Sequence, residues 1–207
     1  MKILALSDRV VDMVYSPRVM EQYGDVDLVI GCGDLPYYYL EYVATMLSAR
    51  VLYVYGNHDE TQYKSDGRIV TAPDGCTSLE DRVLDVDGLL LAGLGGSMRY
   101  NRQGSHQYTE EQMRARIAGL TPALVAQRIT KGRALDILVT HSPPLGIHDA
   151  ADLPHRGFKS LLTLVRYARP RFMLHGHTHL YRSNTPSETK YLDTTILNVY
   201  PLRIIEW

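Results

Sequence analysis

Five times along this chain a short apolar run stops on side chains able to bind a metal. The runs end at Asp8, at Asp34, at Asn57, at His141 and at the pair His177 and His179. Runs of four or five aliphatic and β-branched residues read as buried strands, and the stretches between them carry helical signals, so the chain reads as an α/β protein. Strand ends in such sheets gather at one edge, which is where ligand sites form.

The pattern predicts strands over Ile3–Leu6, Val26–Ile30, Val51–Tyr55, Ile137–Thr140, Phe172–Leu174, Thr195–Val199 and Leu202–Ile205. Val83–Val86 and Leu89–Ala92, joined by Asp87-Gly88, read as a β-hairpin. Ser16-Pro17 looks like a cap and first turn for a helix through Gln22, and Pro36 opens a helix to about Ala49. Thr109 with Gln112 forms a capping box, Thr121-Pro122 starts another helix, and Lys159–Ala168 is an amphipathic one. One domain over residues 1–207 is expected.

Composition limits the function classes. With 45% hydrophobic and 22% charged residues the chain is ordinary globular material, and its formal charge of -1 argues against a nucleic-acid surface. Two cysteines give no disulfide framework, and no apolar run approaches the ~18 residues of a spanning helix. The expectation is a cytoplasmic protein without nucleic acid or membrane as partner. Its oligomeric state is open.

Taken singly, the motifs differ in weight. Gly33-Asp34 is ordinary turn chemistry, and a lone histidine such as His141 is more often structural than a ligand. Gly56-Asn57-His58-Asp59 offers a neutral ligand, a proton donor and a carboxylate in four residues. In His175-Gly176-His177-Thr178-His179, histidines two apart in extended backbone point to one side and can converge on a metal.

In combination, Asp8, Gly33-Asp34, Gly56-Asn57-His58-Asp59, His141 and Gly176-His177-Thr178-His179, each after a strand, resemble the calcineurin-like metallophosphoesterase superfamily. The resemblance runs from Asp8 to His179. It implies a two-sheet β-sandwich flanked by helices, a four-layer α/β fold. It also implies a metal-dependent phosphoesterase that cleaves a small phosphomonoester or phosphodiester by attack of a metal-activated hydroxide. Two divalent cations (Mn, Fe, Zn or Mg) are implied, with Asp34 as the bridge. Asp8 and His179 would serve the first, Asn57, His141 and His177 the second. His58 would be the catalytic acid, with Asp59 orienting its ring.

The chain departs from the superfamily at the first motif, where Asp-x-His is replaced by Asp8-Arg9-Val10. Valine donates nothing, so the first cation is expected to be weakly held, absent, or completed by water or by Asp12. A non-catalytic binding scaffold, a use of this fold known from the retromer coat, is the alternative reading. Three segments are candidates to line the pocket: Tyr37-Tyr38-Tyr39, the loop with Arg99, Tyr100, Asn101 and His106, and the loop with His148, Asp149, Asp152, His155 and Arg156. The last is expected to cap the site, with His155 or Arg156 near the phosphate. Arg9 is a further candidate for holding it.

Overall fold

The computed structural model describes residues 1–63, 66–180 and 186–207. From the N-terminus the chain forms β1 (Lys2–Leu6), α1 (Val19–Tyr23), β2 (Leu28–Cys32), α2 (Tyr37–Met46) and β3 (Arg50–Val54). A small ribbon, β4 (Gln62–Tyr63) with β5 (Ile69–Val70), precedes β6 (Cys76–Ser78) and the hairpin of β7 (Val83–Val86) and β8 (Leu89–Leu94). A second ribbon, β9 (Ser97–Met98) with β10 (Gln107–Tyr108), leads into α3 (Glu110–Lys131). Then come β11 (Ile137–Thr140), α4 (Lys159–Ala168), β12 (Phe172–His175), β13 (Glu188–Tyr191), β14 (Thr194–Asn198) and β15 (Leu202–Glu206).

Two sheets pack face to face. The first has the order β15-β1-β2-β3-β6 and the second β13-β14-β12-β11-β8-β7. In the first, β1, β2, β3 and β6 are parallel; in the second, β8, β11, β12 and β14 are. The central strands β1, β2, β3, β8, β11 and β12 are buried on both faces, as parallel strands covered on both sides must be. Ile3, Ala5, Leu28, Ile30, Leu52 and Val54 point inward against Leu91, Ile137, Val139, Leu174 and Leu197. Their neighbours Leu4, Leu6, Val29, Val51 and Tyr53 point outward onto Val19 of α1 and Tyr39, Leu40 and Val43 of α2. On the far side Ala92, Leu138, Met173 and Ile196 pack beneath Leu120, Leu124, Leu161 and Leu164 of α3 and α4. The expected four layers are therefore present, each seam built from side chains whose full burial contributes about 1.5–3 kcal/mol apiece.

Local signals held where they bound backbone groups. Asp87 (φ 53°) and Gly88 (φ 90°) form the two-residue turn of the hairpin, with Asp85 accepting the Gly88 N–H at 2.8 Å. Thr109 and Gln112 exchange both bonds of the capping box at α3. Three expectations are corrected. Ser16 does not cap a helix: its hydroxyl donates to the Met13 carbonyl, and α1 begins only at Val19. Helix α2 stops at Met46 because Leu47 turns extended (φ -98°, ψ 139°) to bury its side chain ahead of β3. Pro122 starts no new helix; α3 runs through it, since Leu120 and Leu124 on either side are both buried against the sheet.

No helix among the described residues is long and apolar enough to cross a membrane.

Candidate metal centre

The ends of β1, β2, β3, β11 and β12 meet at one edge of the sandwich. Just beyond them, Asp8 (φ 61°), Asp34 (φ 54°) and His177 (φ 66°) sit in the left-handed region. Each such residue costs about 1–2 kcal/mol, and the conformation persists only where surrounding contacts fix it. Here the contacts are mutual. The Asp8 N–H donates to the Gly33 carbonyl at 3.1 Å, and the His177 N–H donates to the Asp8 carboxylate at 2.9 and 3.1 Å. Asp34 Oδ1 accepts the His58 N–H at 2.8 Å.

Two glycines permit this closeness. A Cβ on Gly56 would fall 1.9 Å from Asp34 Oδ1, and one on Gly176 2.3 Å from Asp8 Oδ2. The glycines of the Gly-Asn-His-Asp and Gly-His-Thr-His segments thus admit the carboxylates contributed by other strands.

His141 is the centre of the arrangement and is fully buried. Its Nδ1 lies 2.8 Å from the Cys32 carbonyl, an acceptor only, so this nitrogen carries a proton. Its Nε2 faces two more oxygens, Asn57 Oδ1 at 3.1 Å and Asp34 Oδ2 at 3.4 Å. A neutral ring with its proton on Nδ1 would set a lone pair against both. The cluster therefore calls for positive charge at this point. With only protons available, the ring takes one: burial works against its charge, but the Asp34 carboxylate outweighs it and raises the His141 pKa to about 10. Burial likewise works against ionised Asp34, yet His141 and the His58 N–H hold its pKa well below the usual carboxylate range. A divalent cation meets the same demand, and the donor set of carboxylate, amide oxygen and imidazole suits one.

The remaining side chains are arranged around this point. One ligand atom each from Asp34, His141 and His177 lie within 4.8 Å of one another. His177 Nε2 is 2.8 Å from the Pro154 carbonyl and donates to it, which leaves Nδ1 with the lone pair. Burial, with His141 adding repulsion, holds His177 below the ordinary histidine pKa. Asn57 donates from Nδ2 to the Tyr100 hydroxyl at 3.3 Å, which turns its Oδ1 toward His141. On the other side, the Asp8 side chain is only 2% exposed, and His179, 36% exposed, puts Nε2 3.6 Å from its Oδ1. The His179 ring stacks on Tyr200 at 4.5 Å.

Asp8, Asp34, His58, His155, His177 and His179 line a cavity of about 290 Å³. Asn57 and His141 are buried beside it. A second cavity of about 390 Å³ shares Asp34 and His58 and extends to Pro36, Tyr37, Glu60 and Gln62. The structure thus brings together Asp8, Asp34, Asn57, His58, His141, His177 and His179, with His58 between the two cavities.

Asp59 is placed differently from expectation. Its Oδ2 accepts the backbone N–H of Gly56 at 2.7 Å and of Asp34 at 3.0 Å, and it makes no hydrogen bond to the His58 ring. Burial raises its pKa to about 6 despite the Gly56 bond. It braces the two ligand-bearing turns rather than the imidazole. Asp12 is exposed and Arg9 is exposed; neither lines the cavities. Val10 is half-buried against the outer apolar layer. Of the three tyrosines, Tyr39 is core, Tyr38 is exposed and Tyr37 lines the larger cavity with its hydroxyl on the Thr71 carbonyl. In the last loop His155 reaches the cavity and Arg156 does not. His175 turns away from the site: its Nε2 meets His148 Nδ1 at 2.9 Å, and burial pushes its pKa down to about 3. The carbonyls of Cys32 and Pro154, which fix two imidazole tautomers, carried no sequence signal.

A two-sheet sandwich whose strand exits converge on an Asp, Asn and His cluster defines a metallophosphoesterase-type protein. The calcineurin-like phosphoesterase superfamily domain matches residues 1–199, and the chain belongs to that superfamily. Its members are generally hydrolytic and typically bind divalent metals. Solved structures agree at the level of fold. TT1561 of Thermus thermophilus is 13% identical with a TM-score of 0.59, over 96% of this chain and 88% of that one. The phosphopantetheinyl hydrolase PptH from Mycobacterium tuberculosis is 13% identical with a TM-score of 0.58, over 99% and 95%. GAP50, the anchor in the inner membrane complex of Plasmodium, is 14% identical with a TM-score of 0.54, over 96% and 70%. No curated protein matches in sequence.

Proposed function

We propose that the chain is a metal-dependent hydrolase of a small phosphomonoester or phosphodiester. The observation that carries this is His141: a buried imidazole with one nitrogen committed to Cys32 and the other facing the oxygens of Asp34 and Asn57. Asn57, His141 and His177 would hold one cation, Asp8 and His179 another, and Asp34 would be shared between them. Such cations supply Lewis-acid charge for phosphoryl oxygens and make a nearby water more acidic.

The chain's own residues do the rest. The smaller cavity, where Asp8, Asp34, His177 and His179 converge, would take the phosphoryl group, and the larger one, which shares Asp34 and His58 with it, the leaving group. A water oxygen bonds to phosphorus as the ester P–O bond breaks. The leaving oxygen takes a proton from the protonated His58 ring, and the proton released by the attacking water passes to solvent, from which His58 is reprotonated. Asp34 supports this geometry through the His58 backbone N–H. The larger cavity is lined by Asp34, Asp59 and Glu60 and, among the described residues, by no lysine or arginine, which favours a neutral or cationic leaving group over an anionic one.

Purified protein with Mn²⁺ should cleave an aryl phosphate ester, and Asp34→Asn and His177→Ala should each abolish turnover. Absence of turnover with every divalent metal, on mono- and diesters alike, would remove the enzyme reading and leave a binding protein.

A further inference from the structure

The two halves of the proposed centre are unevenly supplied. Asn57, His141 and His177 surround one side of Asp34. On the other, Asp8 and His179 are the donors nominated among the described residues, since Val10 packs into the apolar layer and Asp12 is exposed. With the shared Asp34 that makes three protein donors among the described residues, one short of the four that zinc and related metals commonly take.

The same cavity contains one more imidazole. His155, from the loop between β11 and α4, lines it together with Asp8, His177 and His179. Its ring centre is 5.1 Å from that of His177, with the planes 37° apart. Its Nδ1 is 2.6 Å from Asp152 Oδ2, so Nδ1 donates to the carboxylate and Nε2 keeps the lone pair. A carboxylate behind an imidazole is the usual device for fixing the tautomer and orientation of a metal-binding histidine. The preceding residue fastens the loop to the site, because the Pro154 carbonyl is the acceptor for His177 Nε2. Within the loop, the Ala150 N–H donates to the His155 carbonyl at 3.1 Å and the Gly157 N–H to Asp149 at 3.1 Å. The backbone on both sides of His155 is thereby tied down.

We propose that His155 is the further protein ligand of the cation held by Asp8 and His179, oriented by Asp152, replacing the imidazole that position 10 does not provide. This rests on the two-cation reading above. It gives the loop a specific role: His155 would tie it, through the cation, to the two strand exits that carry Asp8 and His179.

The test is calorimetric titration of metal-stripped protein with Mn²⁺, paired with Co²⁺ absorption spectra to follow coordination number. Wild type should take up two cations. His155→Ala should leave one unchanged and weaken the other by about 100-fold, and Asp152→Asn should weaken it by about 10-fold. Imidazole in solution, or Val10→His in the His155→Ala background, should restore the second site. The metal-free melting temperature of His155→Ala should match wild type, because the side chain is 45% exposed. Any number of cations bound by wild type with affinities that His155→Ala does not move overturns the inference alone. No cation bound by wild type overturns the two-cation reading itself.

Discussion

The two sides of Asp34 are built by opposite strategies. On the His141 side the donors are buried, the backbone carbonyls of Cys32 and Pro154 fix the imidazole tautomers, and the charge demand exists before any ligand arrives. On the His179 side one carboxylate is buried but its histidine is partly exposed, stacked on Tyr200, and its remaining candidate partner comes from a loop. Preorganisation on one side and assembly on the other predicts that the first behaves as part of the folded core and the second as part of the ligand chemistry.

The largest expected effect breaks this contrast if it is wrong. In metal-free protein, His141→Ala leaves the Asp34 carboxylate buried without its counter-charge, which should cost about 3–5 kcal/mol in a urea titration. His179→Ala should cost less in the same experiment, because His179 is partly exposed and the Asp8 carboxylate keeps the His177 N–H. Equal losses would mean that the two sides are equally structural.

His58 tests the boundary between the cavities. His58→Ala should lower kcat by about 10²–10⁴-fold while calorimetry finds cation binding unchanged, since only its backbone N–H touches Asp34. A loss of cation affinity would instead make the ring part of the metal centre.

The contrast also explains what could be read from the sequence. Strand exits were legible because apolar runs stop on glycine and a polar side chain, and both the ligand series and the double burial of β1, β2 and β11 follow from that. The hairpin and the α3 cap were legible because each is a local exchange of hydrogen bonds. Strand β13 (Glu-Thr-Lys-Tyr) and the three-residue β6 were not, because edge strands take their order from a neighbour rather than from apolar content. Pro122 misled because burial of Leu120 and Leu124 outweighs a local helix breaker. In the site, Asp59 follows His58 directly and reads as its partner; the donors it in fact accepts from, the Gly56 and Asp34 N–H groups, are fixed by how two turns meet.

That correction has its own consequence. Asp59→Ala removes the acceptor of two backbone N–H groups, at a cost of about 1–3 kcal/mol, and should weaken cation binding by displacing the Asp34 turn. Loss of kcat at unchanged stability and affinity would return Asp59 to the role of orienting His58.

The smallest effect concerns how far the preorganised side extends. Tyr100 lies on the loop after β9, and its hydroxyl accepts from Asn57 Nδ2 at 3.3 Å, a long bond at a partly exposed residue. Were this bond the main restraint, Tyr100→Phe would let the amide rotate and present NH₂ to the cation, costing a ligand. The His141 side supplies a stronger restraint: Asn57 is buried, and only its Oδ1 can satisfy a positively charged His141 Nε2 at 3.1 Å. Tyr100→Phe should therefore cost about 0.5–1.5 kcal/mol of stability and shift cation affinity by less than tenfold. A larger drop in affinity would place the loop within the preorganised half of the site, and would make that half depend, like its counterpart, on a segment outside the sheets.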